Sequence, residues 1–203
     1  MPLSRRDFMH KTALAAGGLA LTSQAHAGKD VPMNADRPLF VSTWSFGKEV
    51  NEEALATFET NGSVLDAVER GIQVAEADAD NASVGLGGIP NAAGVVQLDA
   101  CIMDGQGQRA GSVAGVEGIL HPISVARRVM EETKHVMLVG EGARQFALEK
   151  GFESVELLTE KQREAWVKWR EEQGQADNHD TIALLGLDGE GRMAGGCSTS
   201  GWG

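Results

Sequence analysis

The sequence predicts an α+β protein, on three observations. Segments of helical periodicity alternate with short apolar runs, and pairs of those runs are joined by Asp104-Gly105 and by Asp188-Gly189-Glu190-Gly191. Such turns make hairpins, so a purely parallel, doubly wound sheet is disfavoured. Two sheets with helices over their outer faces satisfy the pattern better, because each amphipathic face must be buried against another layer. Residues 28–180 are accordingly expected to pack as helices flanking two sheets, and no internal repeat interrupts that reading.

Each element has a local reason. Leu39-Phe40-Val41-Ser42-Thr43-Trp44 reads as a first strand ending in an aromatic residue. Asn51 is placed to cap a helix running to about Glu59, and Ser63 to cap a second. In the second, Val64, Leu65, Val68, Ile72 and Ala75 make one apolar stripe at helical spacing. Ser83-Val84-Gly85-Leu86-Gly87-Gly88 is too glycine-rich for a helix and reads as a loop where backbone passes close to something.

Strands are predicted over 95–98, 101–103 and 112–117. Pro122 suits a helix's first turn, with Val125, Val129 and Met130 on its apolar face. A continuous apolar strand over 136–139 precedes a helix over 141–149 that Gly151 ends. Thr159-Glu160-Lys161-Gln162 has the capping-box spacing for a charged helix reaching about Glu172. Gln173–Asn178 is polar and uncommitted, an exposed linker. The segments 181–187 and 193–199 then form the last hairpin.

The first residues stand apart from the fold. Ser4-Arg5-Arg6-Asp7-Phe8-Met9, followed by His10 and Lys11, has the twin-arginine export pattern. The apolar stretch from Thr12 to Leu21 is too short to span a bilayer, and Ala25-His26-Ala27 offers small residues to a signal peptidase. Residues 1–27 are therefore read as a signal peptide with the mature chain starting at Gly28, and a periplasmic or secreted location is expected. The 203-residue chain carries a formal charge of −11. Removing the leader makes it −13, since Arg5, Arg6 and Lys11 leave with only Asp7. So acidic a chain argues against nucleic acid and anionic lipid as partners, and no later apolar run is long enough to span a membrane. No cofactor is implied, and no CxxC, HExxH or clustered His/Cys spacing marks a metal site. Cys101 and Cys197 sit in apolar, small-residue strands, where a buried free thiol behaves as a small hydrophobe. Their spacing does not show whether they meet.

The last part of the chain carries the chemistry. In Asn178-His179-Asp180-Thr181-Ile182 a threonine follows a polar segment and opens a strand. If the chain is cut before Thr181, that residue holds a hydroxyl and a free α-amine. The amine's unperturbed pKa of roughly 7.7–8.0 lets it act as the hydroxyl's own base near neutral pH. Cys197-Ser198-Thr199-Ser200-Gly201 returns along the hairpin beside it. Together with Leu39–Trp44, Gly62–Gly71, Ser83–Asn91, Leu98–Gly105 and Pro122–Gly140, these strings make the chain resemble the glycosylasparaginases, amidases of the N-terminal-nucleophile hydrolase group.

The resemblance implies an αββα four-layer sandwich, an α-subunit over 28–180 and a β-subunit opening at Thr181. It makes Thr181 the nucleophile and Asp180–Thr181 the self-cleavage site, with His179 assisting. The Thr181 hydroxyl lies within reach of the Asp180 carbonyl, so attack gives an ester that water can hydrolyse. Thr199, Trp44, Thr43 and Ser83 match family positions at the nucleophile, at the substrate and near the new α-amine. The expected substrate is asparagine N-glycosylated by N-acetylglucosamine or a similar small amide, and the expected assembly an αβ heterodimer that pairs again. The family's Arg-Val-Gly-Asp-like segment and later Thr-Gly pair have no counterpart before Gly203. The 203 residues are therefore read as ending early in the β-subunit and are expected not to make a working amidase. Each lost oxyanion donor forfeits about 2.7–4 kcal/mol of transition-state stabilisation. Two other readings stand beside this one: an inactive fragment or partner of a separate β-part, and an isoaspartyl peptidase or L-asparaginase of the same fold.

Overall fold

The computed structural model describes residues 38–172 and 181–200. The leader 1–27, the linker Gln173–Asn178, and His179 and Asp180 lie outside the described residues, as do Gly201, Trp202 and Gly203.

Strand β1 (Leu39–Ser42) leads through a tight turn into helix α1 (Gly47–Asn61). The helix starts four residues before Asn51, because Gly47 and Lys48 N–H close onto the Trp44 and Ser45 carbonyls without a side-chain cap. Gly62 ends it in the left-handed region, its N–H donating to the Phe58 carbonyl at 2.7 Å. Ser63 caps α2 (Val64–Ala77) as its sequence position requires, Oγ accepting from Asp66 N–H at 3.1 Å.

The two short strands expected over 95–103 are one strand, β2 (Gln97–Asp104), with an irregularity in its pairing between Leu98 and Ala100. It turns into β3 (Arg109–Glu117). Helix α3 (Pro122–Glu132) carries Pro122 in its first turn, β4 (Met137–Val139) runs directly into α4 (Gly140–Glu149), and Thr159 caps α5 (Glu160–Glu171). The closing hairpin is β5 (Ile182–Leu187) and β6 (Met193–Thr199).

The class is α+β, as the alternation predicts. All six strands of the described residues join one sheet in the order β1-β5-β6-β2-β3-β4, antiparallel except for β3 with β4. The expectation of two sheets within 28–180 is thereby corrected: β1 to β4 belong to a single sheet, and the last hairpin inserts between β1 and β2. The described residues thus supply two layers of a sandwich, one sheet and one helical layer.

The larger of two hydrophobic clusters among the described residues binds those layers, the smaller being Val96, Leu98 and Leu157. Val68 and Ile72 of α2, Ile123 and Val129 of α3, and Ala143 and Ala147 of α4 meet Ile102, Val113, Ile182 and Leu184 of the sheet, all fully buried or nearly so. Each buried Ile, Leu or Val contributes about 1.5–3 kcal/mol relative to exposure. The alternate residues of the same strands point away from the helices. Leu39, Val41, Met103, Leu185 and Met193 are exposed there, an apolar face wider than single scattered hydrophobes would make. No helix among the described residues is long and apolar enough to cross a membrane.

Candidate active site

Thr181 directly precedes β5, at the sheet end where β1 stops and β6 finishes. The hairpin register pairs Ile182 with Ser198, so one step further Thr199 comes opposite Thr181. Strand alternation then separates their roles. Ser198 points into the helical layer and is fully buried, while Thr199 follows Cys197 and Gly195 onto the other face.

Thr43 fastens this end of β5. Its hydroxyl donates to the Thr181 carbonyl at 2.8 Å and accepts from Ala183 N–H at 2.9 Å, while its own N–H donates to the Ala183 carbonyl at 3.0 Å. The backbone around Thr181 is thereby held from β1, 138 residues away in sequence. Trp44 follows with φ +62°, an uncommon backbone for a large residue, and its side chain is 57% exposed. Core packing, the default for a strand-end tryptophan, is excluded. The turn after β1 aims the indole outward next to Thr43.

Ser83 reaches the same end through main chain: its carbonyl accepts from Ser200 N–H at 2.8 Å and from Ser200 Oγ at 3.1 Å. The glycine-rich loop passes as close to its neighbours as its composition suggests. A Cβ on Gly85, at φ +58°, would meet the Glu76 carbonyl at 2.0 Å, and one on Gly88 would meet Ser200 Cβ at 2.7 Å. Thr43, Thr181, Thr199 and Ser83 therefore converge on one sheet end, with Trp44 beside them. His179 and Asp180 are outside the described residues. A separate cavity of about 430 Å³ lined by Val96, Glu117, Arg144, Ser154 and Arg163 includes none of them.

Beneath Ser198 lies a group that sequence reading passed over. Glu76 of α2 is fully buried, and one carboxyl oxygen accepts from Ser198 Oγ at 2.8 Å and from Ile123 N–H at 3.0 Å. The other stands 3.2 Å from His121 Nδ1. Burial is the largest influence on this carboxyl and pushes its pKa up, while the His121 and Ser198 hydrogen bonds pull it part of the way back. A signal was available: Glu76 stands four residues after Ile72, on the apolar stripe itself, where an unpaired charge would be costly. Asp99 was also overlooked. It pairs with Thr199 across β2 and β6, and Oδ1 accepts from Gly115 N–H at 2.7 Å.

The cysteines are neither buried nor apart. Cys101 and Cys197 are partly buried register partners on β2 and β6 with sulfurs 3.3 Å apart. The reading of two buried small hydrophobes fails because strand alternation turns both onto the face without helices.

One sheet end of this α+β layer pair therefore gathers Thr43 and Thr199 around the strand-opening Thr181. The asparaginase family profile (Asparaginase_2) matches residues 35–203, and the chain belongs to that family. It is 43% identical over 206 residues to an N(4)-(β-N-acetylglucosaminyl)-L-asparaginase of Elizabethkingia miricola, covering 98% of this chain and 60% of that protein. The mouse protein of the same name is 36% identical over 81% of this chain and 58% of its own length. A plant-type L-asparaginase of Pyrococcus abyssi is 39% identical over 75% of this chain and 55% of its own. The chain thus spans 55–60% of the length of these relatives.

Proposed function

We propose that the protein carrying this sequence is an amidohydrolase that cuts itself between Asp180 and Thr181 and then hydrolyses the side-chain amide of N4-(β-N-acetylglucosaminyl)-L-asparagine. The observation that carries this reading is the convergence of Thr43, Thr181 and Thr199 at one sheet end, in a chain whose bacterial and mouse relatives bear that name. In the first reaction the Thr181 hydroxyl adds to the Asp180 carbonyl. The peptide C–N bond breaks as the proton passes to nitrogen, and water hydrolyses the resulting ester. In the second, the freed α-amine takes the hydroxyl proton as Thr181 Oγ adds to the substrate amide. The glycosylamine leaves with a proton, and water releases aspartate from the acyl-threonine.

Thr43 holds the Thr181 carbonyl, and with it the strand start, through both reactions. Thr199 faces the nucleophile, Ser83 serves the α-amine side, and exposed Trp44 offers an aromatic wall to substrate. His179 assists the cut. Export by the twin-arginine leader, removal of 1–27, and pairing of the 28–180 part with the Thr181 part as a heterodimer that dimerises complete the proposal.

A second reading is an L-asparaginase or isoaspartyl peptidase of the same fold, and the name of the Pyrococcus relative supports its L-asparaginase form. The test compares turnover of glycosylated asparagine, asparagine and an isoaspartyl dipeptide by a protein that carries this sequence at the full length of its relatives and by its Thr181→Ala variant, with mass spectrometry of the cut. Glycosylated asparagine is expected to have the highest kcat/KM, and Thr181→Ala to stay uncut and inactive. Cleavage at Asp180–Thr181 in Thr181→Ala would remove Thr181 from the mechanism. Preference for free asparagine would establish the second reading.

A further inference from the structure

We propose that Cys101 and Cys197 are an oxidisable dithiol, a modification site at which a disulfide donor converts the pair into an intramolecular cross-link between β2 and β6. Two independent features of the fold support it. The residues face each other directly in the antiparallel ladder, continuous from Asp99–Thr199 to Asp104–Ala194, so hydrogen-bonded backbone fixes their relative position. Directly opposed residues on such strands have Cα atoms about 4.5–5.5 Å apart, inside the range of about 4.4–6.8 Å that a disulfide spans. The side chains also already turn toward one another, with Sγ to Sγ at 3.3 Å. Closing the remaining distance to a bond of about 2.05 Å is a local adjustment of two side chains that already face each other.

The chemistry of the pair fits the proposal. One thiol donates to the other sulfur, and the shared hydrogen bond holds Cys101 down to about 6 while pushing the Cys197 thiol up. A thiolate beside a thiol is the attacking arrangement for exchange. Both residues are only partly buried, on the face away from the helices. The Cys101 thiolate attacks one sulfur of the donor and expels the first thiol of that donor. Cys197, losing its proton, then attacks Cys101 Sγ in the mixed disulfide and expels the second. Two protein thiols and one donor disulfide become one protein disulfide and two donor thiols, so the two electrons pass to the donor. A zinc site is the weaker use of these sulfurs, because among the described residues no group of three or more His, Cys, Asp or Glu side chains gathers to hold a metal. The bond would lie two residues from Thr199, tying the strand that carries it to β2. It does not depend on the chemistry proposed for Thr181.

The test is to treat the reduced 203-residue protein with excess oxidised glutathione and follow thiols and mass. The expected product has lost both thiols together, is lighter by about 2 Da, and yields a joined Cys101–Cys197 peptide on digestion. In the Cys197→Ser variant the glutathione adduct on Cys101 should persist, because nothing remains to resolve it. In urea the wild type should accumulate adducts as that variant does, because 96 positions of unfolded chain then separate the thiols. Circular dichroism before each reaction establishes that wild type and variant are folded alike. Persistent adducts on the folded wild type, or two thiols that stay free under the same treatment, would overturn the proposal.

Discussion

Replacing Glu76 separates the buried carboxyl's structural work from its charge. Glu76→Ala removes the acceptor of two buried donors, Ser198 Oγ–H and Ile123 N–H, and leaves a cavity; His121 is part-exposed and can turn to water. An unsatisfied buried donor costs about 1–3 kcal/mol, so a loss of about 2–6 kcal/mol is expected. Glu76→Gln keeps the shape. Its Oε1 can still accept both donors and its amide can donate to His121 Nδ1, so a change within about 1 kcal/mol of wild type is expected near pH 5.

The pH dependence follows from the raised pKa of Glu76. Between the unfolded carboxyl's pKa and the folded one, the folded state holds a proton that the unfolded state has released. The carboxyl's contribution is therefore fully present below the unfolded value and is lost as pH rises through the folded value, at up to about 1.4 kcal/mol per pH unit. The lowered carboxyls Asp104 and Asp188 act in the opposite direction at lower pH, but they are common to both proteins and cancel in the comparison. Urea unfolding of wild type and Glu76→Gln, followed by tryptophan fluorescence from about pH 5 to about pH 8, is the assay. The variant should gain on wild type as pH rises. A difference independent of pH, or a wild type that gains on the variant, would refute the reasoning.

Thr43→Val removes the hydroxyl that bridges the Thr181 carbonyl and Ala183 N–H, and should slow both the cut and turnover by about 10–100-fold, the equivalent of about 1.4–2.8 kcal/mol. Thr43→Ser should restore most of the rate, measured as cleavage half-time and kcat. Gly85→Ala, which drives a Cβ into the Glu76 carbonyl, should cost more than about 2 kcal/mol in urea unfolding. Gly62→Ala, also at positive φ but with open space around it, should cost only about 1 kcal/mol. Substituting Val41→Thr and Leu185→Gln together on the exposed sheet face should lower binding of a hydrophobic dye to the 203-residue protein while circular dichroism stays unchanged.

Much of the fold was legible because its signals are local. Ser63 and Thr159 cap the helices they precede, Pro122 begins α3, and Val68 and Ile72 bury the face their spacing predicts. The start of α1 escaped because a backbone turn at Trp44 and Ser45 replaces a side-chain cap, and no residue type announces that. The single strand over 97–104 escaped because pairing on both sides carries it through the irregularity at Leu98–Ala100.

The site divides in the same way. Thr181 and Thr199 could be set side by side from sequence, because a hairpin brings its own ends together over a short loop. Family resemblance pointed to Thr43, Trp44 and Ser83, but only the tertiary structure gives them a place. The closing hairpin threads between β1 and β2, and that insertion puts Thr43 on the Thr181 carbonyl and Ser83 on Ser200. It also sets Cys197 against Cys101 and Ser198 over Glu76. Sequence alone was enough for the caps of α2 and α5 and for the buried stripes, because capping and periodicity act within a few residues of the chain. Which distant residues share a sheet end was decided by strand order, because the partner of a strand is chosen by burial of the whole layer rather than by its neighbours in sequence.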